Sequence, residues 1–211
     1  MSETSNSPYR VIDRAAQIEV LASPIRQEIV DTLAALGGQV STAELALQLG
    51  RHADGLYYHL KVLCKAGLIT ESAAGEEEAR RYALPGEATR ALRLAYRTDT
   101  TKEKQALRKF ARALLKVAQE DFEEALDMPD LAASGDAREL WASRSKAWLS
   151  REEVMEVNGL LQRLCELMSQ PRTAERDRIL SCTFVLAPHI ARPKRRGAGE
   201  AGDADPDCAE D

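Results

Sequence analysis

Residues 41–67 constrain this chain more than any other stretch. Ser41 is a strong helix N-cap, and Glu44 stands three places later. Together they form a capping box that satisfies two backbone N–H groups left unpaired at a helix start. Leu45 and Leu49 then fall one turn apart as an apolar stripe. Gly50 follows where a helix commonly ends in a left-handed residue, and Arg51 and His52 fill the turn. A second helix is predicted from Ala53 to Ala66, closed by Gly67. At about 100° per residue, Leu56, Leu60 and Leu63 share one face, bordered by Ala53 and His59. Asp54, Tyr58, Lys61 and Lys65 lie opposite, with Tyr57 at the edge.

Two short helices joined by a tight glycine turn are the layout of a helix-turn-helix, whose second helix enters the DNA major groove. The outward face offers donors, aromatic edges and two positive charges, the groups that phosphate contact and base readout need. An ordinary amphipathic helix with a solvated face would look the same in isolation. The following residues favour the first reading. Leu68 to Glu71 and Arg80 to Leu84 read as two short strands around a loop containing Gly75. A helix-turn-helix followed at once by a β-hairpin is a winged helix.

On these residues the chain resembles the ArsR-type winged helix-turn-helix transcriptional regulators. The similar stretches are Leu21 to Leu33, Ser41 to Gly50, His59 to Leu63 and Ala66 to Ile69. The wording Leu56, Tyr57, Tyr58, His59, Leu60 is similar to one branch of that family rather than to its metal-sensing repressors. Trp148 to Glu153 and Thr183 to Pro188 resemble later pieces of the same branch. The resemblance implies a dimeric repressor or activator on a two-fold operator. The family's metal sites use a cysteine motif on the helix before the recognition helix, or paired His and acidic ligands on the C-terminal helix. Ser41 to Leu49 contain no cysteine, and the histidines are His52, His59 and His189. No metal or other cofactor is therefore expected.

A net charge of −5 is unusual for a partner of DNA until it is divided along the chain. Residues 197–211 carry six acidic groups and no basic one, more than the whole excess. Residues 41–68 set Arg51, Lys61 and Lys65 against Glu44 and Asp54, a balance of +1. That small surplus predicts few phosphate contacts and a shallow salt dependence per monomer. The wing tip reads Gly75, Glu76, Glu77, Glu78, which either solvates a loop or keeps the wing off the phosphates. Arg80 and Arg81 follow and reach the backbone instead.

At 211 residues the chain allows one or two domains and a sizeable core. The expected class is mainly α with small β (α+β). Residues 1–8 are expected to be disordered, 9–98 to form a winged helix-turn-helix, 99–190 a helical dimerisation segment with a small α+β C-terminal effector module, and 191–211 a disordered tail. The N-terminal domain opens with a helix from about Arg10 to Leu21, striped by Val11, Ala15, Ile18 and Leu21. Ser23 and Pro24 start the next helix, which buries Ile25, Ile29, Val30, Leu33 and Leu36 and stops at Gly37 and Gly38.

Pro85 and Gly86 are expected to start a helix reaching about Arg97, before a polar connector. A long helix from about Lys102 to Asp127 aligns Leu107, Phe110, Ala111, Leu114, Leu115, Ala118, Phe122 and Leu126. Such a stripe must be covered, by a partner subunit or by the first helix. Residues 137–149 read equally as helix or strand. Ser150 and Glu153 form a second capping box for a helix to about Met168, burying Val154, Val157, Leu160, Leu161, Leu164 and Leu167. Ile179 to Ala187 reads as a strand.

No Gly-rich phosphate loop, ordered Ser-His-Asp set or HExxH is present, so no enzyme is expected. His59 reads as a buried, hydrogen-bonded residue rather than a base. Cys64 lies near Lys61 and Lys65, which would lower a thiol pKa, against the plainer reading of a surface cysteine. Trp141 and Trp148 are core residues or the lining of an effector pocket. Scattered Cys64, Cys165, Cys182 and Cys208, with no signal-like N-terminus and no long apolar run, point to the cytoplasm and to no membrane.

The reading is a homodimeric regulator of transcription bound to double-stranded DNA. Asp54, Tyr57, Tyr58 and Lys61 face base edges, and Ser41, Thr42, Arg51, Lys65, Arg80 and Arg81 hold phosphates. Two alternatives stand beside it: a winged-helix protein–protein module, and a sensor whose C-terminal module takes a small-molecule effector.

Overall fold

The computed structural model describes residues 10–72, 80–86 and 92–189. The elements run β1 (Arg10–Ile12), α1 (Ala15–Val20), α2 (Pro24–Leu36), β2 (Val40–Ser41), α3 (Thr42–Gln48), α4 (Ala53–Lys65), β3 (Thr70–Ser72), β4 (Arg81–Ala83), β5 (Leu92–Leu94), α5 (Thr101–Leu126) and α6 (Arg151–Met168). The protein is mainly α with small β.

α2, α3 and α4 form at the residues their caps and stripes predict. Pro24 takes the first position of α2, and Gly37 ends it at φ 68°. The Ser41–Glu44 capping box is formed, and Gly50 and Gly67 adopt φ 59° and 67° at the ends of α3 and α4. Ile29, Leu33, Leu45, Leu56, Leu60 and Leu63 are at most 1% exposed and meet in one core. β3 and β4 pair antiparallel, Glu71 opposite Tyr82. A third strand, β2, adds to β4 with Val40 opposite Tyr82. The wing is thus a three-stranded sheet in the order β2-β4-β3, tied to the start of α3. The expected wing tip at 75–78 and the expected terminal regions at 1–8 and 191–211 lie outside the described residues.

Two elements differ from the expected helices. Residues 10–12 are a strand, paired in parallel with β5, and Ala95 N–H donates to Ile12 O at 2.8 Å. Val11 is 54% exposed and Ile12 1%, the two-residue alternation of a strand. An adjacent apolar pair fits either period, and the cross-chain pairing decides. The expected helix reaching Arg97 is likewise replaced by β5 and an irregular connector, with residues 87–91 outside the described set.

α5 starts at a capping box, Thr100 with Glu103, and packs on α1 and α2. Its most buried residues are Ala106, Ala113 and Val117; of the expected stripe, Leu107 and Phe110 pack against the core and Ala111, Leu114, Ala118 and Phe122 are partly buried, while Leu115 and Leu126 are 54% and 57% exposed. The contact is fixed by Gln27 Nε2, which donates to Leu21 O at 2.7 Å and Phe110 O at 3.4 Å, and by the Lys109–Glu19 ion pair at 2.9 Å.

The expected α+β module is absent among the described residues. Residues 137–149 form neither helix nor strand, and neither does Ile179 to Ala187, which has no partner strand among the described residues. α6 forms behind its Ser150–Glu153 capping box, yet none of its residues is buried. β-forming composition does not make a strand without a second edge to pair with.

Candidate nucleic-acid interface

The tight turn at Arg51 and His52 sets α4 across α3, and the two faces of α4 separate cleanly. Leu56, Leu60 and Leu63 are fully buried. Tyr57 and Tyr58 are 48% and 68% exposed, and Asp54, Lys61 and Lys65 join them at the surface. Lys61 and Lys65 form no ion pair among the described residues. Tyr58 meets the His59 ring edge-on, centroids 5.4 Å apart.

The three arginines are held differently. Arg51 pairs with Glu28 at 3.0 Å and Arg80 with Glu71 at 3.2 Å. Arg81 stands 4.0 Å from Glu44 and donates to Gln39 O at 3.3 Å. Their positive charge is partly neutralised within the chain. Ser41 spends its hydroxyl on the capping box, donating to Glu44 Oε2 at 2.7 Å and accepting from Glu44 N–H at 3.2 Å. The Ser41 backbone N–H, donating to Glu44 Oε2 at 2.7 Å, and then the hydroxyl hold the Glu44 carboxyl below the ordinary carboxylate value. Thr42 is 6% exposed, so only its backbone faces the start of α3. Sequence alone placed both among the phosphate-holding residues, helped by the helix N-terminus at Thr42; the Ser41 hydroxyl is engaged in the cap and the Thr42 side chain is enclosed.

Two residues depart from their expected environments. His59 Nδ1 is enclosed and has no hydrogen-bond partner, contrary to a hydrogen-bonded core histidine. Desolvation, reinforced by Arg26 and Arg51, lowers its pKa and so favours the neutral ring over the charged one. Cys64 packs against the core, and burial together with the Glu71 carboxylate pushes its thiol up, the reverse of what Lys61 and Lys65 would do alone. A thiol of raised pKa is a poor redox sensor.

The structure also adds a residue. Arg14, in the bend before α1, lines a cleft with Gln17 and Lys65 beside the end of α4. Gln17 holds that corner by donating to Ala66 O at 2.8 Å. Fifty-one positions separate Arg14 from Lys65, so neither period nor motif could pair them. Trp141 and Trp148 line no enclosed pocket: they are 66% and 102% exposed, and Trp141 stacks under the Arg138 guanidinium at 3.8 Å. Among the described residues no cluster of His, Cys, Asp or Glu could hold a metal. No described helix is long and apolar enough to cross a membrane.

A turn-linked helix pair with a buried leucine face, a polar and aromatic outer face and a sheet behind it defines a helix-turn-helix domain. The comparison with protein families agrees: a family described as a helix-turn-helix domain matches residues 21–72, from the end of α1 through β3. That match points to DNA-binding regulation. No curated protein matches the chain.

Proposed function

We propose that this protein is a sequence-specific transcriptional regulator, ArsR-like but outside the metal-sensing branch, that binds a two-fold operator as a homodimer and catalyses no reaction. The observation that carries the reading is the division of α4 into a fully buried leucine face and an exposed face of Asp54, Tyr57, Tyr58, Lys61 and Lys65. In this reading α4 of each copy lies in successive major grooves, roughly 34 Å apart. Asp54, Tyr57, Tyr58 and Lys61 read base edges, which supply specificity. Lys65 binds phosphate directly. Arg51, Arg80 and Arg81 do so by exchanging Glu28, Glu71 and Glu44 for the DNA backbone, helped by backbone N–H groups near Ser41 and Thr42.

The test is titration of the protein against a randomised duplex library, then against the selected duplex over a range of salt. A sequence preference and a linear fall of log affinity with log salt are expected, each phosphate contact adding about −0.9 to the slope. No preference at low ionic strength overturns the reading and leaves the winged helix as a protein-binding module. A ligand that raises the melting temperature and changes operator affinity would add the effector role.

A further inference from the structure

The C-terminal third of the chain carries apolar surface that no other described residue covers. α6 spaces Val154, Val157, Leu161, Leu164 and Met168 by three and four residues in turn, the seam of a helix that packs on another helix. None of them is buried, and Leu160 and Leu167 beside the seam are 65% and 55% exposed. Further on, Phe184, Val185 and Leu186 are 43%, 60% and 55% exposed, outside any helix or strand. From residue 177 to 189 no backbone–backbone hydrogen bond forms among the described residues. The segment is nonetheless anchored. Arg178 pairs with Asp130 at 2.9 Å and with Glu139, and the Ser181 hydroxyl donates to Asp121 on α5.

The amount of this surface matches an interface. Ten large apolar side chains of α6 and of residues 179–187 are at least 40% exposed. Together they expose on the order of 1,000 Å², against about 800 Å² that each partner gives to a standard interface. The chemistry fits a copy of itself. Residues 179–188 contain no charged side chain in a protein that is 30% charged. Such a strand lies antiparallel beside its own copy without setting like charges opposite one another. A two-fold interface requires this self-complementarity.

We propose that α6 and the segment 179–187 are covered by the same elements of a second copy, helix against helix and strand beside strand. The C-terminal core is then assembled only between chains. This deepens the homodimer in the proposed function and rests on that reading for the identity of the partner.

The test uses the full-length protein without DNA. Light scattering across a dilution series is expected to give a species of twice the 23.3 kDa chain mass that dissociates on dilution. Backbone amides of 179–187 are expected to resist hydrogen exchange in the dimer and to exchange freely once it dissociates. Val185→Lys should shift the protein to monomer while leaving exchange in α2 and α4 unchanged. A monomer at every concentration overturns the proposal. So does a dimer whose 179–187 amides exchange freely, since its interface lies elsewhere. Because no DNA is present, a protein that dimerises as described but prefers no duplex would refute the operator reading alone.

Discussion

Lys61 and Lys65 differ from the three arginines around them in having no carboxylate partner among the described residues. Exposed ion pairs contribute only about 0–1 kcal/mol each, so a phosphate can replace Glu28, Glu71 or Glu44 at little cost. The lysines meet DNA without that exchange. Lys61→Ala is expected to weaken binding to the selected duplex by about 1–3 kcal/mol, and more than it weakens binding to unrelated sequence. Equal weakening on all duplexes, measured by fluorescence anisotropy, would make Lys61 a phosphate contact instead. His59, behind Tyr58, has no such freedom. Its enclosed Nδ1 and lowered pKa mean that stability falls as pH drops through its titration, because the charged ring is the form the fold disfavours.

At the scale of the element, three capping boxes mark the starts of α3, α5 and α6, at Ser41–Glu44, Thr100–Glu103 and Ser150–Glu153. Each sets where a helix begins; none sets what the helix packs against. α3 is short, with seven residues, so it depends most on its cap and on β2 before it. Ser41→Ala is expected to cost about 1 kcal/mol. That lowers the melting midpoint by roughly 2–4 °C in a protein of this size. Thermal unfolding followed by circular dichroism checks this. An unchanged midpoint would show that the sheet, not the cap, holds α3.

Over the whole molecule, α5 braces the N-terminal domain by packing on α1 and α2, and it brings acidic groups together. Packing desolvates the Asp31 carboxyl, and Asp121 and Glu28 repel its charge, pushing it up to about 6 although Asp31 itself stays open to solvent. The folded chain therefore keeps that proton up to about pH 6, whereas an unfolded one releases it near 3.8. Between those values the folded state binds more protons, so stability declines as pH rises through the window. Asp31→Asn removes the charge. It is expected to raise the melting midpoint at pH 8 and to leave it unchanged at pH 3.5, below both values. Solvent screening holds the gain to about 1 kcal/mol or less. A midpoint difference that does not vary with pH would show that Asp31 titrates normally.

What the sequence determined by itself is local. Caps at Ser41 and Ser150, glycines at 37, 50 and 67, and the three-and-four spacing of Leu56, Leu60 and Leu63 act within a few residues, so α2, α3, α4 and α6 and the outward face of α4 could be read directly. The tertiary structure decided what depends on distant partners. Residues 10–12 and 92–94 became strands because they pair with each other, and packing of α5 on α1 and α2 buried Ala106, Ala113 and Val117 most deeply while leaving Leu115 and Leu126 exposed. The arginines were drawn into ion pairs by carboxylates elsewhere in the chain. Ile179 to Ala187, written as a strand, found no partner edge among the described residues: a β-ladder is a property of two segments, and one sequence segment specifies only half of it.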